Sequence, residues 1–323
     1  MNYKIKKISG DASFREFYRV KKGLKSSIIV KANKEKQRNL INYIIINKVL
    51  NENKINAPKL INDYYENSII EISDLGEKSF YNFIISKKNK LSHYKKLIKL
   101  IIKLQKIRFK KVYKIGKYKL RVEKYTKQNL HKESDLFFDW YLTNTLKNVR
   151  LKKQKKIKKV LKDELDNIYE KLSFQNSVFV HRDFHASNIM MGKKNLGLID
   201  NQDAIIGNPL YDIASLIDDV RIKFSSNFQK RLLKFYHRNS QFRKQSFEKI
   251  KNDYDILSVQ RNLKILGIFV RLYKRDKKPN YLKYLPYTWQ LIMRRLKNPV
   301  FKKFKFLLIK NLPIKKLAKV SIV

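Results

Sequence analysis

Two kinds of hydrophobic periodicity divide the chain. Up to about Glu71 the pattern favours strands. The second half of GDASFREFYRV (10–20) alternates apolar and polar residues, Lys22-Gly23 reads as a turn, and SSIIVKA (26–32) reads as a second strand. A helix is predicted over roughly Lys34 to Asn51, with Leu40, Tyr43 and Ile44 at helical spacing. After Ala57-Pro58, Ser68 to Ile72 forms another strand pattern that closes on Ser73-Asp74-Leu75-Gly76. From Glu77 onward the helical period dominates. Leu91, Tyr94, Leu97, Ile98, Ile101, Leu104 and Ile107 make one apolar face, as expected of core packing. Residues 147 to 163 are lysine-rich, as on a solvated helix surface. Ile213, Leu216, Ile217 and Val220 predict a helix after Tyr211-Asp212, and Leu263 to Leu272 another buried one. The last stretch, VFKKFKFLLIKNLPIKKLAKV, reads as a docked terminal helix rather than a segment lying on a membrane surface.

The most informative stretch runs from Val178 to Asp212. It predicts a short strand (Val178, Phe179, Val180), a polar loop, and a hairpin of Ile189–Met191 and Leu196–Ile199 turned at Gly192-Lys193-Lys194-Asn195. Asp183, Asn188 and Asp200 fall at strand edges, where a scaffold holds reacting groups. In kinase-like phosphoryl transfer one carboxylate orients the attacking hydroxyl, while an amide and a second carboxylate hold Mg²⁺ on the nucleotide phosphates. His181-Arg182-Asp183, followed after four residues by Asn188, has the spacing of that catalytic loop. A polar turn with capping Asp and Asn would use the same residue types. Asp200, one hairpin further on, favours the functional reading.

Composition narrows the class. A chain of 323 residues can bury a large core, as one domain or two lobes. It contains no cysteine, which excludes disulfides and thiolate metal sites. With no secretory signal visible in MNYKIKKISGDASF, a cytoplasmic location is expected. Lysine interrupts every apolar run, so no membrane span is expected. The net charge of +48 invites a nucleic-acid reading. Lysine far outnumbers arginine, however, and is spread over the whole chain alongside abundant Asn and Ile. A/T-rich coding would produce that picture, and no specific nucleic-acid partner is expected.

Several weaker signals gain meaning from the loop. Gly10, Asp11, Ala12 and Ser13 read as a loop whose N–H groups approach phosphates, or as an ordinary turn. Lys31 stands where a kinase-like fold places a lysine against the phosphates, although in so lysine-rich a chain a surface lysine fits equally. The acids expected near the following helix are only Glu35 and Glu52, at its ends, so a Lys–Glu pair is not readily placed. Ser73 to Glu77 reads as a hinge between lobes, with the backbone of Glu71 to Leu75 facing an adenine edge, or as an ordinary strand-to-helix corner.

Together these residues resemble the aminoglycoside-phosphotransferase family within the protein-kinase-like fold. Within it the likeness points to bacterial kinases that phosphorylate N-acetylmuramate and N-acetylglucosamine at the anomeric hydroxyl. It rests on GDASFREFYRV, SDLGE (73–77), DLFFDWYL (135–142), VFVHRDFHASNIMM (178–191), LIDNQDAIIGNPLYDIASL (198–216) and QRNLKILGIFVRLYKRDKKPNYLKYLP (260–286). The resemblance implies an α+β bilobal fold: a strand-rich N-lobe (1–72), a hinge (73–77) and a mainly helical C-lobe (78–323). It implies Asp183 as catalytic base, and Asn188 and Asp200 as Mg²⁺ ligands. Gly10, Asp11, Ala12, Ser13 and Phe14 would cover the nucleotide, with Lys31, Ser73 and Leu75 also in the ATP site. Asp203 would lie near a second metal or the substrate, His185 would contact substrate or orient the loop, and Arg182 would pair with nearby carboxylates. Trp140 and Tyr141 read as a sugar-stacking wall or as buried packing. Asn201 departs from the family branch, which usually has an aromatic residue there.

The implied activity is ATP- and Mg²⁺-dependent transfer to a small hydroxylated substrate, an amino sugar, by a monomer. Same-fold kinases acting on an aminoglycoside, choline, homoserine or a protein remain alternatives, as does a polyanion-binding pseudokinase. A +48 chain repels polycationic aminoglycosides, and the intact Asp183, Asn188 and Asp200 argue against a pseudokinase.

Overall fold

The computed structural model describes residues 3–8, 15–192 and 195–313. The loop Gly10 to Phe14 and the tip of the 189–199 hairpin at Lys193 and Lys194 lie outside the described residues, as do residues 314–323 of the terminal stretch. The chain has the expected α+β character, strand-rich at its N-terminal end and mainly helical toward its C-terminus. It groups into two compact units. The first gathers Met1–Lys90, Lys106–Glu123 and Val178–Ile206, and the second Leu91–Gln105, Lys124–Ser177 and Gly207–Val323. Packing therefore joins the 178–206 segment to the N-terminal strands, across the chain order of the expected lobes.

The first unit is built on a five-stranded antiparallel sheet of order β1-β2-β3-β5-β4. Its strands are β1 (Tyr3–Ile8), β2 (Glu16–Lys22), β3 (Lys25–Lys31), β4 (Leu60–Tyr64) and β5 (Ile69–Ser73). The alternation expected in β2 is not seen in its burial, which is intermediate from Glu16 to Val20, whereas β5 alternates; Val30 and Ile70 of the central strands are fully buried. Ser68 takes a left-handed conformation (φ 58°), so β5 starts one residue later than the pattern predicts and runs one residue further. Between β3 and β4 lies α1 (Arg38–Glu52), preceded by a 3₁₀ turn at Lys34–Lys36. Leu40, Ile45 and Leu50 of α1 are fully buried.

The rest of this unit is short. Helix α2 (Phe80–Ile84) is capped by Ser79, whose Oγ accepts from Asn82 N at 3.2 Å. A hairpin of β6 (Val112–Ile115) and β7 (Tyr118–Arg121) interrupts the predicted helical region. Its strands, Val-Tyr-Lys-Ile and Tyr-Lys-Leu-Arg, have four residues each, too brief to oppose a helical period. Strand β8 (Val178–Val180) precedes the polar loop, β9 (Ile189–Met191) and β10 (Leu196–Leu198) form the predicted hairpin, and β11 (Ile205–Gly207) pairs with β8.

The second unit is helical: α3 (Leu91–Gln105), α4 (Lys127–Leu136), α5 (Thr143–Thr145), α6 (Leu151–Tyr169), α7 (Tyr211–Ile217), α8 (Ser226–Asn239), α9 (Phe247–Lys274), α10 (Leu285–Arg295) and α11 (Lys302–Asn311). Helix α7 ends before Val220, which the periodicity would have included. The lysine-rich 147–163 stretch becomes α6, with Ile157, Leu161 and Leu165 buried and its lysines mostly outward. Among the described residues no helix is long and apolar enough to cross a membrane.

Helix α9 is the axis of this unit and is buried over most of its 28 residues. It packs on α4, α7, α10 and the π-helical turn Phe137–Leu142 that continues α4. Tyr141 in that turn belongs to the core: its ring stacks on Phe137 at 5.5 Å, and its hydroxyl accepts from Trp289 Nε1 at 2.6 Å. Trp140 is partly exposed. The contact works because α9 has glycine at 267. A Cβ there would lie 2.2 Å from the Leu136 carbonyl oxygen and 2.6 Å from Phe137 N. Thus DLFFDWYL and QRNLKILGIF, more than a hundred residues apart, are two halves of one close backbone approach. Alanine ordinarily stabilises a helix interior by about 1 kcal/mol over glycine. Here Gly267→Ala is expected to destabilise by about 1–3 kcal/mol instead, because the backbone of α4 must move away. Denaturant midpoints at equal slope measure this, and an unchanged or raised midpoint would contradict the packing.

Candidate active site

Four of the predicted residues, Ser73, Leu75, Asn188 and Asp200, line a single cavity of about 390 Å³ contained within the first unit. Its volume lies in the range of small-molecule sites. The sheet supplies an apolar wall from Phe17, Ile28 and Ile72, and Tyr43 of α1 closes one side. The β5 corner is held by side chains: Lys59 N donates to Ser73 Oγ at 2.8 Å, and Gly76 N donates to Asp74 Oδ1 at 2.9 Å. Leu75 packs against Gly197 of β10, where a Cβ would lie 2.7 Å from Leu75 Cδ1. The hairpin is stitched to the same segment by Met191 N donating to Lys78 O and Leu198 N donating to Asn56 O, each at 2.8 Å.

The polar loop is held by its own hydrogen bonds. His181 is fully buried; its Nδ1 accepts from Asp183 N at 3.2 Å, and its Nε2 lies 3.0 Å from Ile199 O. The Asp183 carbonyl accepts from His185 N and from Asn188 Nδ2, both at 3.0 Å. Ile199 N donates to Asn188 O at 3.1 Å. The hairpin therefore returns Asp200 beside Asn188, as the spacing predicted, and the Asn188 amide joins both to Asp183. His185 is buried within the loop. Arg182 and Asp200 hold positive φ, 75° and 66°, uncommon for residues with a Cβ and frequent at functional sites.

Asp200 opens a 3₁₀ turn, Asn201–Asp203. Gln202, nearly buried, donates from Nε2 to Asp203 Oδ2 at 2.7 Å and to Asp200 Oδ1 at 3.2 Å, bridging the two carboxylates. Asp203 itself is exposed. Asn201, at the position where an aromatic residue was expected, is fully buried and donates to Asn47 Oδ1 on α1 at 2.8 Å. This amide pair ties α1 to the Asp200 turn.

Lys31 is not brought to the cavity. It lies exposed at the end of β3, across the ladder from Glu16. The cation beside Asp200 is Arg15, whose Nη2 donates to Asp200 Oδ1 at 2.7 Å. Arg19, which lines the cavity, donates from Nε and Nη2 to both Asp74 oxygens, at 2.6 and 3.1 Å, and to Gly76 O at 2.9 Å. Phe17 and Arg19 share a face of β2, and Arg15 stands two residues before Phe17, just ahead of the strand. That spacing, in a chain whose default cation is lysine, was the available signal for both arginines. The partners of Gln202 and Asn47 had no comparable sequence signal.

The donor set suits Mg²⁺. The Asn188 amide spends its N–H₂ end on the Asp183 carbonyl, which leaves its oxygen for a cation. Asp200 accepts from Arg15 and Gln202 on Oδ1, which leaves Oδ2. Among the described residues no three His, Cys, Asp or Glu side chains cluster as a metal site. One carboxylate and one amide oxygen, completed by phosphate and water, is how Mg²⁺ is commonly held.

Comparison with known proteins agrees with this geometry. A model of the phosphotransferase enzyme family matches residues 4–247. An N-acetylmuramate/N-acetylglucosamine kinase of Neisseria meningitidis serogroup B is 26% identical over 282 residues, covering 86% of this chain and 81% of that protein. The kinase of the same name from Pseudomonas aeruginosa is 28% identical over 286 residues, covering 86% and 79%. Among solved structures, choline kinase LicA from Streptococcus pneumoniae superposes with a TM-score of 0.60 at 14% identity, covering 91% of this chain and 92% of that one. At that identity the likeness is one of fold.

The Asp74 corner has a pH signature. Burial pushes its carboxyl up, but hydrogen bonds from Arg19, Ser26 and Gly76 N together hold it below the ordinary value of 3.8. A depressed value in the folded state means the contribution is complete above 3.8 and is lost as pH falls through the folded-state value. The thermal midpoint of the wild type should therefore exceed that of Asp74→Asn at neutral pH. The gap should close only as the pH drops below the ordinary carboxylate range. A gap that is constant across pH would show that Asp74 acts without its charge.

Proposed function

This chain belongs to the phosphotransferase enzyme family, and we propose that it transfers the γ-phosphate of ATP to the anomeric C1 hydroxyl of an amino sugar, N-acetylmuramate or N-acetylglucosamine. The observation that supports this most is the convergence of Asn188 and Asp200 on one cavity wall, with Asp183 joined to Asn188 by its amide. The sugar class is supported by the relatives named above, which align over most of their own length.

In this reading the adenine lies against the apolar wall and the Ser73–Leu75 corner, and the phosphates point toward Asn188 and Asp200. Mg²⁺, held by those two side chains, would offset the phosphate charge. Asp183 accepts a hydrogen bond from the attacking hydroxyl and aims it at the γ-phosphorus. Its main-chain ties to His181, His185 and Asn188 hold it in place for that task. The reaction needs little covalent help from the protein, so positioning and fixed charge carry the rate. An anomeric hydroxyl is more acidic than an ordinary alcohol, and a carboxylate is a sufficient base for it. Asn201 and Asn47 tie α1 to the Asp200 turn.

The test is to incubate the protein with Mg·ATP and each sugar and to locate the phosphate by NMR. Phosphate at C1 is expected; product at C6, or none, would overturn the assignment. Asp183→Asn should keep nucleotide binding and lose about 10²–10⁴-fold in turnover, the range for a general base. Unchanged turnover in that variant would remove Asp183 from the role.

A further inference from the structure

We infer that Arg15 is the residue that grips the nucleotide's phosphates, in the role first expected of the strand lysine Lys31. This rests on the phosphotransferase reading above and specifies how that site holds its nucleotide.

The position of Arg15 carries the inference. It directly precedes β2 and is more than nine-tenths buried. Its Cζ lies 5.6 Å from the ring centroid of Phe17 and 5.6 Å from that of Tyr43, so two aromatic residues on the cavity border the guanidinium. Burial raises the Tyr43 hydroxyl to about 12, against the pull of Arg15, so a phenol rather than a phenolate adjoins the cation. One arm of the guanidinium bonds Asp200 Oδ1. A guanidinium is a planar fork of donors that matches phosphate oxygens in pairs.

Charge balance supplies the second argument. Asp200 is a carboxylate partner of Arg15, at 2.7 Å. Mg²⁺ on the same carboxylate would crowd positive charge around a buried cation. A polyphosphate beside Arg15 offsets that added charge. Metal and nucleotide should then bind as a pair, each weakly without the other. Lys31 offers no such arrangement. It is exposed, it lies across the ladder from Glu16, and α1 carries no acid before Glu52 to hold it inward.

Titration calorimetry on the full chain decides the matter, using adenosine, ADP with chelator, and Mg·ADP as probes. For Arg15→Met the affinity for Mg·ADP should fall about 10–100-fold, the loss expected when a charge-assisted hydrogen bond disappears. Metal-free ADP should weaken as well, while adenosine binds as in the wild type. Arg15→Lys should recover part of the loss, and Lys31→Met should cost less than Arg15→Met. Three outcomes would overturn the inference. Adenosine and ADP may weaken equally, which makes Arg15 a wall of the cavity. The loss may occur only with Mg²⁺ present, which makes Arg15 a support for Asp200. Or Lys31→Met may cost as much as Arg15→Met. If the wild type binds none of the three probes, the phosphotransferase reading itself fails. Should Arg15→Met not fold, ¹⁵N NMR of the wild-type guanidinium gives the same decision: the Arg15 resonance moves with ADP and not with adenosine.

Discussion

A buried guanidinium requires a fixed anion, and two arginines, one just before strand β2 and one within it, each meet one. Arg15 meets Asp200 and Arg19 meets Asp74. Phe17 stands between them in sequence as part of the apolar wall. This single segment therefore connects the sheet to the Asp200 turn and to the corner after β5. An unpaired cation at either position would carry a large desolvation penalty.

The polar loop depends on that frame and adds its own. Arg182 in the loop, and Asp200 after the hairpin, sit at positive φ, a conformation that costs roughly 1–3 kcal/mol each. Such strain persists only where the surroundings over-determine the backbone. Here the buried His181 spans from Asp183 N to Ile199 O, and Asn188 bonds outward through both its side chain and its carbonyl. The loop is consequently a rigid piece whose three polar groups cannot drift apart independently. Gln202 and the Asn47–Asn201 pair extend the same network to Asp203 and α1.

The helical unit solves a different problem. It places a 28-residue helix at its centre and must satisfy the polar groups buried with it. Asp218 accepts from Tyr254 Oη at 2.8 Å, Gln229 Nε2 at 2.7 Å and Arg295 Nη2 at 2.7 Å. Glu133 accepts from Tyr211 Oη at 2.7 Å and Gln260 Nε2 at 3.1 Å, and pairs with Lys264 at 3.0 Å. These side chains are the reason so lysine-rich a chain keeps acids in its interior: each one holds two or more helices in register.

The amino-acid pattern by itself determined the local pieces. Period-2 runs marked β2, β3 and β5, helical faces marked α1, α3 and α9, and the loop spacing from His181 to Asp200 marked the chemistry, because these features depend on neighbours a few residues away. It was silent on β6–β7, whose four-residue strands are too short to outweigh their helical surroundings. Tertiary structure alone decided which cation meets Asp200, since Arg15 and Lys31 both stand at strand ends and only packing buries one of them. It decided that Asn201 finds Asn47 where an aromatic ring was expected. It also decided that Gly267 is needed for the backbone of α4 to approach. Periodicity reports which face of an element turns inward; the partner that face meets is set by how distant elements pack, and no local repeat encodes it.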